Sequence, residues 1–455
     1  MQYYTKSGQI YVIGDLVSKE ARGGEGSVHS LPQDIGLVAK LYRADLGVQD
    51  ISRRGRKIEA MLSKDSSLAA DQTFAWPLDA LYDEKGIFAG YIMRSAADKI
   101  KLSRQLSDKL RKSMSLEELI VTACNLARTI ESAHAQSYVI GDLKPENMLV
   151  SKAVITVIDV DSFQFSASDE LFPCRAGTPE WLPPELQNVS FTDQSFSLET
   201  DRWALAVIIF KLLMNDTHPF THRVIDPNAE RTTQKENVVS GVSAHFPETN
   251  KAKLPIARPL MSPSVESLPP DVRNLFEQAF IVGHLARWDR PCAADWIDPL
   301  QKFRKLLKRC DKNPSHQYWQ EAAICPWCEI EEASGSVVAV KNDMKTCLAC
   351  GTNNKANAAF CSSQACGSLF DISTPSSGGN SVKAGSTSSV VAPSQGCRAC
   401  GRKSRTWMLY CSHCGGKLSD SGGVKNSDDT IIITISAVII ILIVFVMCIF
   451  FSFLN

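Results

Sequence analysis

A carboxylate, an ammonium and an amide fall close together at Asp142, Lys144 and Asn147. They lie inside the run Tyr138-Val139-Ile140-Gly141-Asp142-Leu143-Lys144-Pro145-Glu146-Asn147-Met148-Leu149-Val150. The run is apolar, then polar, then apolar again, as a loop between two buried elements should be. Phosphoryl transfer from a nucleotide uses such a set: a carboxylate orients the attacking hydroxyl, a cation neutralises charge on the moving group, and an amide oxygen helps to hold Mg²⁺. Three polar residues in an ordinary turn have the same pattern, so the assignment depends on what surrounds them.

Residues suited to the same chemistry lie on both sides. Upstream, Ala21-Arg22-Gly23-Gly24-Glu25-Gly26-Ser27-Val28 is rich in glycine, which lets backbone N–H groups approach phosphate oxygens with no Cβ in the way. Lys40 then interrupts the apolar run Leu37-Val38-Ala39-Lys40-Leu41-Tyr42. An ammonium in a buried strand is costly unless it meets negative charge, and phosphates would supply it. Downstream, the short strand Val154-Ile155-Thr156-Val157-Ile158 ends in Asp159-Val160-Asp161. Residues two apart in extended backbone face one side, so both carboxylates can reach one metal ion, with Asp159 as the ligand and Asp161 as its assistant.

These groups need elements to position them. Ser115-Leu116-Glu117-Glu118 is a capping box, and the apolar spacing after it predicts an amphipathic helix from Leu116 to Ala135 that supports the Asp142 loop. His134, near its end, is read as structural. Ser52 to Leu62 reads as a helix with one acid, Glu59, in a basic run, and Ile87 to Met93 reads as a strand leading to a hinge. The apolar run Asp201-Arg202-Trp203-Ala204-Leu205-Ala206-Val207-Ile208-Ile209-Phe210 is too short to cross a membrane and predicts a buried core helix. Residues 221–270 form a polar, proline-containing insertion.

In order and spacing, these runs resemble the motifs of eukaryotic-like (bacterial-type) Ser/Thr protein kinases. Asp142, Lys144 and Asn147 match the catalytic loop His-Arg-Asp-Leu-Lys-Pro-x-Asn. Gly23, Gly26 and Val28 match the glycine-rich loop, with Ala21 in place of its first glycine. Lys40 matches the nucleotide-binding lysine, with Val38 beside adenine, and Asp159 matches the aspartate of Asp-Phe-Gly. Ala176-Gly177-Thr178-Pro179-Glu180-Trp181-Leu182-Pro183-Pro184-Glu185 resembles the end of the activation segment. The resemblance implies a bilobal α+β fold over residues 1–305, with one lobe over 1–95 and the other over 96–305. It also implies binding of ATP and Mg²⁺ and phosphorylation of Ser/Thr hydroxyls on protein substrates. Within it, Thr178 would help to place the substrate, Glu59 would pair with Lys40, Glu185 would pair with Arg290, and Asp201 would tie its helix to the catalytic loop. Ile140-Gly141 stands where His-Arg is usual, and Val160-Asp161 replaces Phe-Gly. The missing arginine argues against control by an activation-loop phosphate, and the missing histidine would otherwise brace the metal-binding aspartate. The alternative in a different class is a nucleotide-binding pseudokinase that acts as a membrane scaffold.

At 455 residues the chain has room for several domains, and its formal charge of +0 gives no argument for an acidic or nucleic-acid partner. Of fifteen cysteines, eleven fall between Cys310 and Cys414. In a reducing cytosol, paired cysteines favour metal over disulfide. Cys310, His316, Cys325 and Cys328 supply the four donors of a closed Zn²⁺ site, placed at 306–332. Cys347, Cys350, Cys361 and Cys366 (343–370) and Cys397, Cys400, Cys411 and Cys414 (397–418) each resemble a zinc ribbon. The ribbons are expected to dock protein partners in preference to nucleic acid. Residues 371–396 and 419–430 read as linkers. From Ile431 to Leu454 the chain is uncharged, roughly 36 Å of helix at ~1.5 Å per residue, enough to span a bilayer. With no signal peptide, the expectation is a single-pass, C-terminally anchored protein with its kinase-like part cytosolic, on a bacterial inner membrane.

Overall fold

The computed structural model describes residues 1–333, apart from 19–20, 65–66, 97, 108–112, 191–194, 227 and 230, together with four short strands farther on. The first part is a six-stranded antiparallel sheet: β1 Gln2–Tyr4, β2 Ile10–Val12, β3 Gly26–Ser30, β4 Leu37–Tyr42, β5 Asp79–Tyr82 and β6 Phe88–Arg94, in the order β2-β1-β5-β6-β4-β3. One helix, α1 (Val48–Ser63), packs on it.

Side chains on β4 alternate between two cores, as a pleated strand requires. Ala39 and Leu41 join Tyr11, Leu31, Leu81 and Ile92 on one face. Val38 and Tyr42 lie on the other with Tyr91 and Met93, in the main core. Lys40, at the alternate position between Val38 and Tyr42, shares that second face. The apolar run Ile10 to Val17 divides between the two edges of the sheet. Ile10–Val12 pairs with β1 at one edge of the sheet, whereas Leu16 pairs with His29 at the other. Between them, Ile13 N–H donates to Met1 O and Gly14 N–H to Ser30 O, both at 2.9 Å. The sheet thus curls until its two edges meet at Ile13-Gly14.

After β6 the chain turns into a mostly helical lobe. Strand β7 (Ile100–Lys101) pairs with β8 (Met148–Ser151), which pairs with β9 (Val154–Val157). Helix α2 (Leu102–Leu106) follows β7. Helix α3 (Leu116–His134) starts at the predicted capping box, with Ser115 Oγ accepting from Glu118 N–H at 3.2 Å. Helix α4 (Leu198–Leu213) is buried on almost every face, and Trp203 and Phe210 stand among Phe220, Phe276 and Phe280. The insertion that the sequence left open packs into this cluster through Phe246, and its strands β12 (Arg223–Val224) and β13 (Ile256–Ala257) pair with each other. Arg290, whose side chain is fully buried, grips Glu185 with two hydrogen bonds of 2.8 Å, the pair the resemblance implied. The described fold is therefore α+β, with a sheet-rich lobe and a helical one.

Among the described residues no helix is long and apolar enough to cross a membrane; the run from Ile431 to Leu454 lies outside them. The four later strands form two antiparallel hairpins, Met344–Thr346 with Asn353–Lys355 and Ser394–Gly396 with Lys403–Arg405. Each hairpin encloses one Cys-x-x-Cys pair in sequence. The cysteines expected in the two ribbons lie outside the described residues, as do both linkers apart from Ser394–Gly396.

Two buried histidines give the helical lobe an acid limit. His218 Nε2 faces Glu180 O at 3.1 Å and its Nδ1 accepts from Phe220 N–H at 3.2 Å, so the ring is neutral with its proton on Nε2. Burial pushes His218 and His245 down to about 3. In the unfolded chain both protonate near their ordinary value of 6.5, so the stability they support is present above pH 6.5 and is lost as pH falls toward 3. Urea unfolding should show a loss of about 1.4 kcal/mol per pH unit for each histidine over that window. His218→Gln should remove one histidine's share of the slope.

Candidate active site and Cys/His centre

The turn that follows α3 is shaped by one buried carboxylate. Asp201, at the start of α4 and fully buried, accepts from Ile140 N–H at 2.7 Å, Gly141 N–H at 2.8 Å and His134 Nε2 at 3.1 Å. His134 is thereby structural. Gly141 has φ +75°, and a Cβ there would lie 2.5 Å from Cys174 Sγ. The space beside residue 141 is filled by Cys174, which is buried with Val139, Leu182, Leu186 and Phe196. Ile140 is 2 % exposed and belongs to the main core, so an apolar side chain suits that position.

Beyond this turn the expected polar residues converge. Asp142 Oδ2 lies 2.6 Å from Lys144 Nζ, and Asp142 Oδ1 accepts from Thr178 Oγ1 at 3.0 Å. Lys144 also donates to Thr178 Oγ1 at 2.9 Å. Asn147 Nδ2 donates to Asp142 O at 3.0 Å and Oδ2 at 3.2 Å, which leaves its side-chain oxygen free to face a cation. Ile158 N–H donates to Asn147 O at 2.9 Å, which sets Asp159 beside Asn147. Asp159 has φ +62°, and its side chain is 40 % exposed. Asp142 and Asp159 thus lie next to one amide, as carboxylates that serve a hydroxyl and a metal ion would.

Across the cleft, Gly26, Val28, Val38 and Lys40 lie on the neighbouring strands β3 and β4, with Val28 opposite Lys40 in register. Gly23 N–H closes the preceding turn on Gly26 O at 2.8 Å. A Cβ on Gly26 would lie 2.4 Å from Leu41 O, so only glycine allows this hairpin to close. Lys40 Nζ lies 2.5 Å from Asp159 Oδ1 and 2.6 Å from Asp161 Oδ1. Burial alone would lower the Lys40 pKa, but the two carboxylates outweigh it and raise the value.

Two expectations require correction. Glu59 does not reach Lys40; it accepts from Tyr82 OH at 2.5 Å and pairs with Lys6 at 2.8 Å. The inward face of α1 is marked by Gly55, Ile58 and Met61, and Glu59 lies beside that face instead of on it. Asp161, expected to assist Asp159 at a metal ion, is instead buried, and its Oδ1 meets the same Lys40 Nζ that Asp159 Oδ1 does. Its side chain is 4 % exposed and its oxygens accept from Lys40, from Tyr42 OH at 2.6 Å and from Tyr91 OH at 2.9 Å. Tyr42 and Tyr91 were not singled out in the sequence. Tyr42, two residues after Lys40 on one strand, was recoverable from period-two alternation. Tyr91 was not, because its placement opposite Lys40 depends on the register of β4 with β6.

A second centre follows the last helix of the lobe, α7 (Ile297–Lys305). Strands β14 (Leu307–Arg309) and β15 (Gln317–Trp319) form a hairpin, and helix α8 (Pro326–Ala333) follows. Donor atoms of Cys310, His316, Cys325 and Cys328 all lie within 4.8 Å of one another. Cys310 Sγ is 3.6 Å from Cys328 Sγ, and His316 Nδ1 is 3.7 Å from Cys325 Sγ and 3.6 Å from Cys328 Sγ. With metal–sulfur bonds of about 2.3 Å, the sulfurs of a tetrahedral zinc site lie about 3.8 Å apart, so the set fits Zn²⁺. The far nitrogen of His316, which carries the ring proton when Nδ1 faces a metal, donates to Glu331 Oε1 at 3.2 Å, an outer partner that orients the ring. The module is tied to the lobe by Gln317 Oε1, which accepts from Glu117 N–H at 3.2 Å, while the Glu117 side chain holds Arg304 of the preceding helix at 2.7 Å.

Gly141→Ala tests the coupling of the turn to Cys174. It should cost roughly 1–3 kcal/mol in urea unfolding, because left-handed backbone and steric overlap are imposed together, and it should lower phosphotransfer in proportion to the displacement of Asp142.

Residues 89–312 match the family model described as the protein kinase domain. The chain is 26% identical over 338 residues to "Protein kinase YegI" of Escherichia coli (strain K12), covering 73% of this chain and 50% of that one. The protein of the same name from Escherichia coli O157:H7 is 27% identical over 338 residues, with 72% and 50% covered. The liver/testis isoform of the phosphorylase b kinase gamma catalytic chain of Homo sapiens is 32% identical over 133 residues, covering 26% of this chain and 30% of that one. The chain spans about half the length of the bacterial relatives it matches. These matches agree with the two-lobed fold: residues 89–312 are similar to the protein kinase domain, whose chemistry uses ATP and Mg²⁺.

Proposed function

We propose that the chain is an ATP-dependent Ser/Thr protein kinase whose kinase region faces the cytosol, held at a membrane by the apolar run from Ile431 to Leu454. The carrying observation is the convergence of Asp142, Lys144, Asn147 and Thr178 within hydrogen-bond distance, with Asp159 beside Asn147. ATP with Mg²⁺ would supply the transferable phosphoryl group and its charge neutralisation. Asp142 orients the incoming hydroxyl and accepts its proton. Lys144 keeps a positive charge where the phosphoryl group passes, and Thr178, held by both, aligns the substrate segment. Asn147 and Asp159 would hold the metal, Lys40 would steady the phosphates, and the backbone from Gly23 to Gly26 would cover them, with Val28 and Val38 beside the base.

Phosphate transfer to a generic basic protein tests this reading. Asp142→Asn should lower the rate by at least ~100-fold, the scale of lost general-base catalysis, with no change in unfolding. Activity indifferent to Asp142 would remove the assignment. One observation favours the pseudokinase alternative: Lys40 already occupies Asp159, the exposed carboxylate. Mg·ATP binding without any turnover would establish that alternative.

The second part of the proposal concerns metal and address. Cys310, His316 Nδ1, Cys325 and Cys328 hold one structural Zn²⁺, and the two ribbons hold one each and recruit protein partners. The zinc content of the full chain should fall by one equivalent in Cys325→Ser and by one in Cys347→Ser, read by elemental mass spectrometry. Removing residues 431–454 should release the protein from the membrane fraction.

A further inference from the structure

The carboxylate that secures the nucleotide-binding lysine has moved. On the inner side of α1, where an acid would meet Lys40, the chain carries cations. Arg54 lies over the Tyr42 ring at 4.9 Å and binds Glu25 of the glycine-rich turn at 2.8 Å. Lys57 donates to Pro173 O at 3.4 Å, and burial pushes it down to about 8. Of these cations Lys40 touches Asp161 directly, at 2.6 Å, whereas Arg54 takes Glu25 and Lys57 takes the Pro173 carbonyl. Asp161 carries three donors, with Lys40 and Tyr91 on one oxygen and Tyr42 on the other. Neither tyrosine hydroxyl has another hydrogen-bond partner in the site just described. A buried carboxylate with three donors cannot turn toward a metal ion without leaving them unpaired, which is costly for each abandoned group.

We propose that Asp161 is the positioning residue for Lys40, locked by Tyr42 and Tyr91, and that the placement of the lysine does not depend on any carboxylate of helix α1. This rests on the nucleotide-binding reading of the cleft. It carries a regulatory meaning: a displacement of α1 that would break a helix-borne ion pair leaves Lys40 in place here, because both partners are fixed by the sheet and by the turn after β9.

The test compares Asp161→Asn, Asp161→Glu and Glu59→Gln in the full chain, with kcat and KM for ATP measured on a basic protein and unfolding followed alongside. At unchanged thermal midpoint, Asp161→Asn should lower kcat more than tenfold and raise KM for ATP more than tenfold. Asp161→Glu should recover part of both losses, and Glu59→Gln should stay within twofold of the parent. A merely structural Asp161 would lower the midpoint and the active fraction together, which lowers apparent kcat and leaves KM for ATP unchanged. That result, or an equal loss in Glu59→Gln, overturns the proposal. If the parent chain binds Mg·ATP without turnover, the kinase reading fails by itself. The same variants are then read by the thermal shift that Mg·ATP produces, which Asp161→Asn should abolish and Glu59→Gln should keep. Retention in Asp161→Asn would overturn the proposal there too.

Discussion

An ammonium buried on a central strand must be matched by negative charge, and much of the cleft follows from how Lys40 is matched. Removing one partner of such a pair leaves an uncompensated charge, at a cost of about 3–5 kcal/mol. Its second partner, Asp161, sits in a tight turn entered through the left-handed Asp159, and that turn also buries Val160 completely. The aromatic group Phe74, Trp76, Tyr138 and Phe163 packs behind it. Charge matching, metal-site exposure and core packing are therefore settled by a few consecutive residues.

The helical lobe is organised around a second buried carboxylate. Asp201 receives two backbone N–H groups of the turn at Ile140-Gly141 and the ring of His134, so the start of α4, the end of α3 and the loop carrying Asp142 move as one body. The Cys/His module extends the same logic outward. Its hairpin docks on the N-terminus of α3 through Glu117, and Arg258 of the insertion reaches Glu329 on α8 at 3.1 Å. Metal binding there would couple its own folding energy to the lobe it braces.

Much of this was legible from residue spacing. The capping box, the isolated lysine in an apolar strand, the acid ending β9 and the Cys-x5-His-x8-Cys-x2-Cys pattern each depend on local geometry, and each proved local in the structure. The failures were of phase and register. Glu59 was chosen because it is the one acid in a basic helix, yet helical phase turns it toward Lys6 and Tyr82. Asp161 was read as facing the same side as Asp159, and both do meet Lys40 Nζ, but the backbone between them is a tight helical turn and not a strand, so period-two reasoning could not show that one carboxylate is buried and the other open. Tyr91 required knowledge of which strand lies beside β4. The curl that joins Ile13-Gly14 to the far edge is equally a tertiary event, invisible in an apolar run that looked continuous.

The contact between Gly141 and Cys174 also limits what can stand at position 141. The backbone there is left-handed and the thiol fills the space that a Cβ would take, so any side chain at 141 meets strain and overlap together. A phosphate-reading side chain at this position is excluded by sterics unless Cys174 changes with it and the backbone gives up its positive φ.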